Sequence, residues 1–156
     1  TLGDDPQTRR YLMDPGCGNG LLLEKLGELL PGLIGCGIEC IRERALAAYE
    51  RLDRGEGDEE RIVFGTLGNL DNWRRRDYEL ALMMPGRLLE LEPLIRAGVL
   101  FYLKAHVRRL LVYAYNDQGY ESLEGYAEAA GLLKSWRLES EIDSPGIAMA
   151  GILSRR

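Results

Sequence analysis

Short apolar runs of five to seven residues alternate along this chain with longer stretches in which apolar positions recur every three or four residues. A short run without strict alternation suits a strand covered on both faces, and a period near 3.6 suits a helix with one buried face. The runs predict strands at Arg10–Asp14, Leu33–Glu39, Arg61–Thr66, Tyr78–Met84 and Arg109–Tyr115. Between them, "NGLLLEKLGELLPG" reads as a helix stopped at Pro31-Gly32. "IRERALAAYERLD" reads as a second helix running into the polar loop "RGEGDEE". From Leu88 to Val107 the pattern is mixed, and Gly98 inside it predicts a break or a shortened helix. Ser122 stands as an N-cap before "LEGYAEAAGLL", with Gly125 where a capping box would carry Glu. After that the period changes to two. "SWRLESEID" and "IAMAGILS", joined at Ser144 to Gly146, predict an antiparallel hairpin. Strands alternating with helices imply βαβ units and a mostly parallel sheet.

With 156 residues and no repeat or linker, the expectation is one domain over 1–156 with a sizeable core. A net charge of -5 lacks the footprint of a phosphate-backbone binder, so nucleic acid is not expected as a partner; the basic run "WRRRD" reads as a solvated face. Cys17, Cys36 and Cys40 form no CxxC and His106 completes no zinc set with them, so no metal is expected and the cysteines read as reduced. No apolar run reaches the ~18 residues of a membrane span and no signal segment opens the chain, which makes a soluble, cytoplasmic protein without a membrane partner the expectation. The chain opens on Thr1 rather than Met, and an element lost before it is an open alternative.

The stretch with most chemical content is "DPGCGNG", Asp14 to Gly20, between the first strand and the first helix. A glycine-rich strand-to-helix turn lets a ligand approach bare backbone at the carboxyl end of a strand. It is not the dinucleotide G-x-G-x-x-G, because Leu21 and Leu23 stand where the last glycine would fall, and no Gly-Lys-Ser/Thr of a phosphate loop follows. The second strand ends in Glu39, 25 residues after Asp14, just before a helix. On its residue type alone Glu39 is either a carboxylate suited to two convergent O–H donors or an N-cap or first-turn glutamate favoured by the helix dipole.

D-x-G-x-G-x-G after the first strand and an acidic residue closing the second resemble the class I S-adenosylmethionine-dependent methyltransferases. The resemblance implies an α/β, Rossmann-like three-layer sandwich, with a mostly parallel seven-stranded sheet and a C-terminal antiparallel hairpin. It also implies S-adenosyl-L-methionine as cofactor. Asp14, Gly16, Cys17, Gly18, Gly20, Glu39 and Cys40 would then bind it, with the glycines beneath its methionine part and Glu39 at the ribose hydroxyls. Thr66 stands where the family often has an acidic adenine contact, leaving that contact to the Thr66 hydroxyl, the Leu67 backbone or Asn69. "DYELALMMPGRLLE" is similar to the fourth-strand segment, with Glu79 for the usual Asp. Met83, Met84 and Pro85 would border cofactor and substrate there, a core role for the methionines being the alternative.

Neither an Asn-Pro-Pro-Tyr-like motif nor a Pro-Cys nucleophile is present, which disfavours the DNA-methylating members and leaves a small-molecule acceptor as the default. The donor is already activated, so holding the acceptor in line supplies much of the rate and a dedicated base is optional. Tyr115 and Asp117, in "AYNDQGY" after the fifth strand, are the candidates for one; His106 precedes that strand and reads as structural. The alternative function is a non-catalytic cofactor-fold domain acting as a structural or regulatory subunit. The sequence leaves the oligomeric state open.

Overall fold

The computed structural model describes residues 9–52, 60–73, 76–115, 121–144 and 148–156. Seven strands form one sheet in the order β3-β2-β1-β4-β5-β7-β6, a mixed α/β, Rossmann-like arrangement. The chain divides into two compact units, Thr1–Glu79 and Leu80–Arg156, with the boundary inside β4 (Tyr78–Met83).

In the first unit β1 (Arg10–Pro15), β2 (Leu33–Glu39) and β3 (Ile62–Phe64) are parallel. The register sets Asp14 opposite Gly37 and Glu39 opposite Phe64. Helices α1 (Leu21–Leu29) and α2 (Arg42–Leu52) make the crossovers and pack on β2 and on each other. Their burial is uneven: Leu23, Ala45 and Ala48 are buried, whereas Leu29 and Leu46 face outward. Gly35 accommodates this packing, since a methyl there would stand 3.0 Å from the Leu23 Cβ. β3 is shorter than the Arg61–Thr66 expected. Gly65 still donates to the Glu39 carbonyl (3.0 Å), but the Asn72 side chain fills the space a Cβ at 65 would need and the chain turns away.

In the second unit α3 (Pro85–Leu89) and α4 (Pro93–His106) lead into β5 (Val107–Tyr115). The expected break is real but misplaced. Helix α4 runs through Gly98, and the interruption falls at residues 90–92, where Pro93 begins a new helix at the position that needs no N–H partner. β5 starts two residues earlier than expected because the helix passes directly into the strand at Val107. Helix α5 (Leu123–Ala129) is capped by the Ser122 hydroxyl, which accepts from the Gly125 N–H at 3.1 Å. β6 (Trp136–Ser144) and β7 (Ala148–Arg155) form the expected antiparallel pair, with a register shift between Leu138 and Ser140. β7 also pairs with β5, antiparallel, from Arg109–Ser154 to Tyr115–Ala148. Residues 145–147 and the loop "RGEGDEE" up to Glu59 lie outside the described residues, as do residues 74 and 75 of the basic run. Among the described residues no helix is long and apolar enough to cross a membrane.

Candidate functional site: a glycine turn beside two buried carboxyls

β1 ends at Pro15 and the chain turns through Gly16–Gly20 into α1. The turn is fastened to β2: the N–H groups of Gly16 and Cys17 both donate to the Ile38 carbonyl, at 2.7 and 3.2 Å. It closes on itself through the Gly20 N–H and the Cys17 carbonyl (3.0 Å), and the Asn19 side chain accepts from the Leu21 N–H at 3.2 Å. Gly16, Gly18 and Gly20 have φ of 126°, 57° and 76°, which L side chains adopt at a cost.

Beyond that shared requirement the three glycines differ. A methyl at Gly20 would stand 3.1 Å from the Ala48 backbone and from the Leu52 side chain, so what comes close there is the protein's own α2. A methyl at Gly16 or Gly18 would meet nothing within 4 Å. The turn therefore has one side closed by a helix and one side of bare, open backbone.

Two buried carboxyls lie next to the turn. Asp14 is 4% exposed and Glu39 5%. From the register they are diagonal neighbours on one face of the β1–β2 pair, about 8 Å apart at the backbone by ordinary sheet spacings. Glu39 Oε2 accepts from the Gly18 N–H and Oε1 from the Ile41 N–H, each at 2.8 Å. The second bond is the local role the sequence allowed, since the Ile41 carbonyl starts the α2 ladder by accepting from Ala45. The first bond, across 21 residues to the glycine turn, was not foreseen. Each oxygen keeps a second lone pair. The Asp14 side chain makes no hydrogen bond among the described residues. Burial, and then the nearby Glu39 charge, push its pKa up to about 7. Between them the Cys17 sulfur packs on β2 where Gly37 leaves room for it; burial, Asp14 and Glu39 push this thiol up to about 12.

After β3 the chain is held by two side chains. The Asn72 amide donates to the Thr66 carbonyl (3.0 Å) and the buried Trp73 indole to the Leu67 carbonyl (2.9 Å). Thr66 is exposed; Asn69 uses its side-chain oxygen to cap the turn at Leu70–Asn72 by accepting from the Asp71 N–H. Two residues missed by the sequence reading stand here. Ile41 is 42% exposed and Phe64, in register with Glu39, is 61% exposed. An apolar residue two after the acidic one, and an aromatic at the carboxyl end of the next strand, were the signals. Cys40 is exposed between Glu39 and Ile41.

In the second unit Met83 is buried, as the core alternative had it, and Tyr115 is exposed at the carboxyl end of β5. Asp117 lies outside the described residues, as does the rest of "AYNDQGY" after Tyr115. His106 closes α4 and lies against the Tyr102 ring with centroids 4.5 Å apart.

No protein-family model matches the chain. Among solved structures it is similar to a TehB-like S-adenosylmethionine-dependent methyltransferase from Corynebacterium glutamicum, with TM-score 0.69 and 16% identity over 96% of this chain and 82% of that one. The chain has the class I methyltransferase fold. The same fold relates it to magnesium protoporphyrin IX methyltransferase from Synechocystis, solved with bound S-adenosylmethionine (TM-score 0.67, 14% identity, 96% and 71% covered). It also relates it to an rRNA methylase from Streptococcus thermophilus (TM-score 0.61, 16% identity, 94% and 87% covered). By sequence, a curated relative is the ribosomal RNA large subunit methyltransferase G of Aliivibrio fischeri, 32% identical over 87 residues, 54% of this chain and 22% of that protein. The chain thus spans about a fifth of the length of that relative. Relatives of the methyltransferase fold that include two RNA methylases give no support to the expectation that nucleic acid is not a partner.

Proposed function

We propose that this chain is an enzyme that binds S-adenosyl-L-methionine on the open side of the Gly16–Gly18 turn and transfers its methyl group to a small-molecule acceptor. The observation that carries the reading is the combination of open backbone at Gly16 and Gly18 with the buried carboxyls of Asp14 and Glu39. S-adenosylmethionine, when bound, supplies a methyl group already activated on a sulfonium. The residues fit such a ligand. Asp14 is pushed up by burial and by Glu39, and a ligand carrying positive charge would offset both effects. Glu39, fixed by two backbone N–H groups, has lone pairs left for the two ribose hydroxyls. Exposed Ile41 and Phe64 offer apolar surface for the adenine ring, beside Cys40 and the Thr66–Leu67 backbone that Asn72 and Trp73 hold in place. Gly20 lets the turn pack against α2, and the Cys17 sulfur fills the space over Gly37. Tyr115 and Asp117 are the proposed acceptor-side groups.

Titration calorimetry with S-adenosylhomocysteine tests the cofactor step. Heat at micromolar protein is the expected result; no heat would favour the reading of a structural or regulatory subunit. A second reading of the acceptor, an RNA, is favoured by the 32% identity over 87 residues to a ribosomal RNA methyltransferase. Labelled-methyl transfer separates the two: small-molecule transfer labels the filtrate of a metabolite extract, and RNA transfer labels nuclease-sensitive polymer.

A further inference from the structure

Helix α2 and the residues that lead into it touch the glycine turn at three points. Ahead of its first turn, Glu39 joins the Ile41 N–H to the Gly18 N–H. In its middle, Ala48 lies against Gly20. In its last turn, Arg51 Nε donates to the Asn19 carbonyl at 3.1 Å while Arg51 Nη1 meets Glu24 Oε2 of α1 at 2.7 Å. The segment Gly18-Asn19-Gly20 is thus gripped at one end by a carboxylate and at the other by a guanidinium, both tied to α2.

We propose that Arg51 is a positioning residue that holds the glycine turn in its ligand-ready shape before any ligand arrives; this rests on the cofactor reading above. A segment with glycines at alternate positions has more conformational freedom to lose than any other, and a binding site built on it is weakened by whatever ordering is left for the ligand to impose. The N–H groups of Gly16 and Cys17 are held by the Ile38 carbonyl and that of Gly18 by Glu39. The Asn19 carbonyl, between Gly18 and Gly20, is held by Arg51. The guanidinium suits this place: its planar fork presents Nε and Nη donors at a fixed angle to two acceptors, the Asn19 carbonyl and the Glu24 carboxylate, which a lysine ammonium does not reproduce. The residue to which the grip matters is Asn19, since the Glu24 ion pair is partly exposed and such pairs contribute little by themselves.

The test compares Arg51→Met, Arg51→Lys and Glu24→Gln with wild type, using S-adenosylhomocysteine titration and hydrogen exchange at the Gly20 amide, whose bond to the Cys17 carbonyl closes the turn. Arg51→Met is expected to weaken affinity about fivefold through loss of a charge-assisted bond and to speed Gly20 exchange about tenfold. Glu24→Gln is expected to stay near wild type in both, because the bond to Asn19 remains. Arg51→Lys, the variant to use should the methionine protein fail to fold, is expected to lie between. Wild-type affinity and exchange in the Arg51 variants would overturn the proposal, and so would a loss in Glu24→Gln equal to that in Arg51→Met, which would assign the effect to the ion pair. A wild-type protein without affinity for S-adenosylhomocysteine would overturn the cofactor reading instead, and the exchange comparison would still decide the role of Arg51.

Discussion

Asp14 is a carboxyl held away from water beside a second carboxyl. Its pKa is pushed well above the usual carboxylate range, to about 7 in the folded protein, first by burial and then by Glu39. The folded state therefore holds a proton that the unfolded state has released between roughly pH 4 and 7, and stability falls as pH rises through that window. Asp14→Asn removes the penalty. The expected outcome is a variant more stable than wild type at pH 8, on the order of a few kcal/mol, with the difference closing toward pH 4; thermal melts at the two pH values check it. A second expectation concerns the three thiols. Cys17 is buried and its thiol is held at about 12, Cys36 is buried, and Cys40 is exposed. Since the thiolate is the reacting form, iodoacetamide at neutral pH should label Cys40 alone in the native protein, read by peptide mass spectrometry.

Among the elements, the junction of β1, β2 and their helices was the part most legible beforehand. The limits of β2 at Leu33 and Glu39 and the turn after β1 follow from an apolar run closed by an acidic residue and from three spaced glycines. What the pattern did not separate was the work of those glycines. Gly20 answers to Ala48, 28 residues away, and such a contact depends on how α2 packs. The two cases predict different phenotypes. Gly20→Ala should destabilise the fold by about 2 kcal/mol or more, adding crowding at Ala48 to the strain of a positive φ. Gly18→Ala should cost only the strain term, about 1–2 kcal/mol, while weakening S-adenosylhomocysteine binding more than Gly20→Ala does; urea melts and calorimetry together check both. Glu39 also changes in meaning. An exposed cap could be lost cheaply, but this carboxylate is buried and satisfies two backbone N–H groups. Glu39→Ala should therefore cost about 2–3 kcal/mol of stability as well as at least about tenfold in affinity, and Glu39→Gln should fall between in affinity. The segment after β3 was less legible because its shape is set by side chains that reach back, Asn72 and Trp73, and no short-range pattern marks them.

Taken whole, the chain has a net charge of -5 and therefore no overall field to steer a polyanion. The expected result of a gel shift with RNA or duplex DNA at low salt is weak binding with a shallow salt dependence. Sub-micromolar affinity falling steeply with salt would move the acceptor to the RNA reading. Alternating strands and helices made the class of fold legible, and the change of period after residue 135 made the hairpin legible. Strand order was not, because the place of a strand in a sheet depends on pairings between residues far apart in sequence. β7 illustrates this: it follows β6 in the chain but lies between β5 and β6, bonded to both along its length. During synthesis, β5 and β6 therefore emerge without a common neighbour, and each waits with an open edge until β7 leaves the ribosome and inserts. Stalled chains ending before Ala148 should be the ones that chaperones hold and that aggregate, since an unpaired strand edge is a template for other chains.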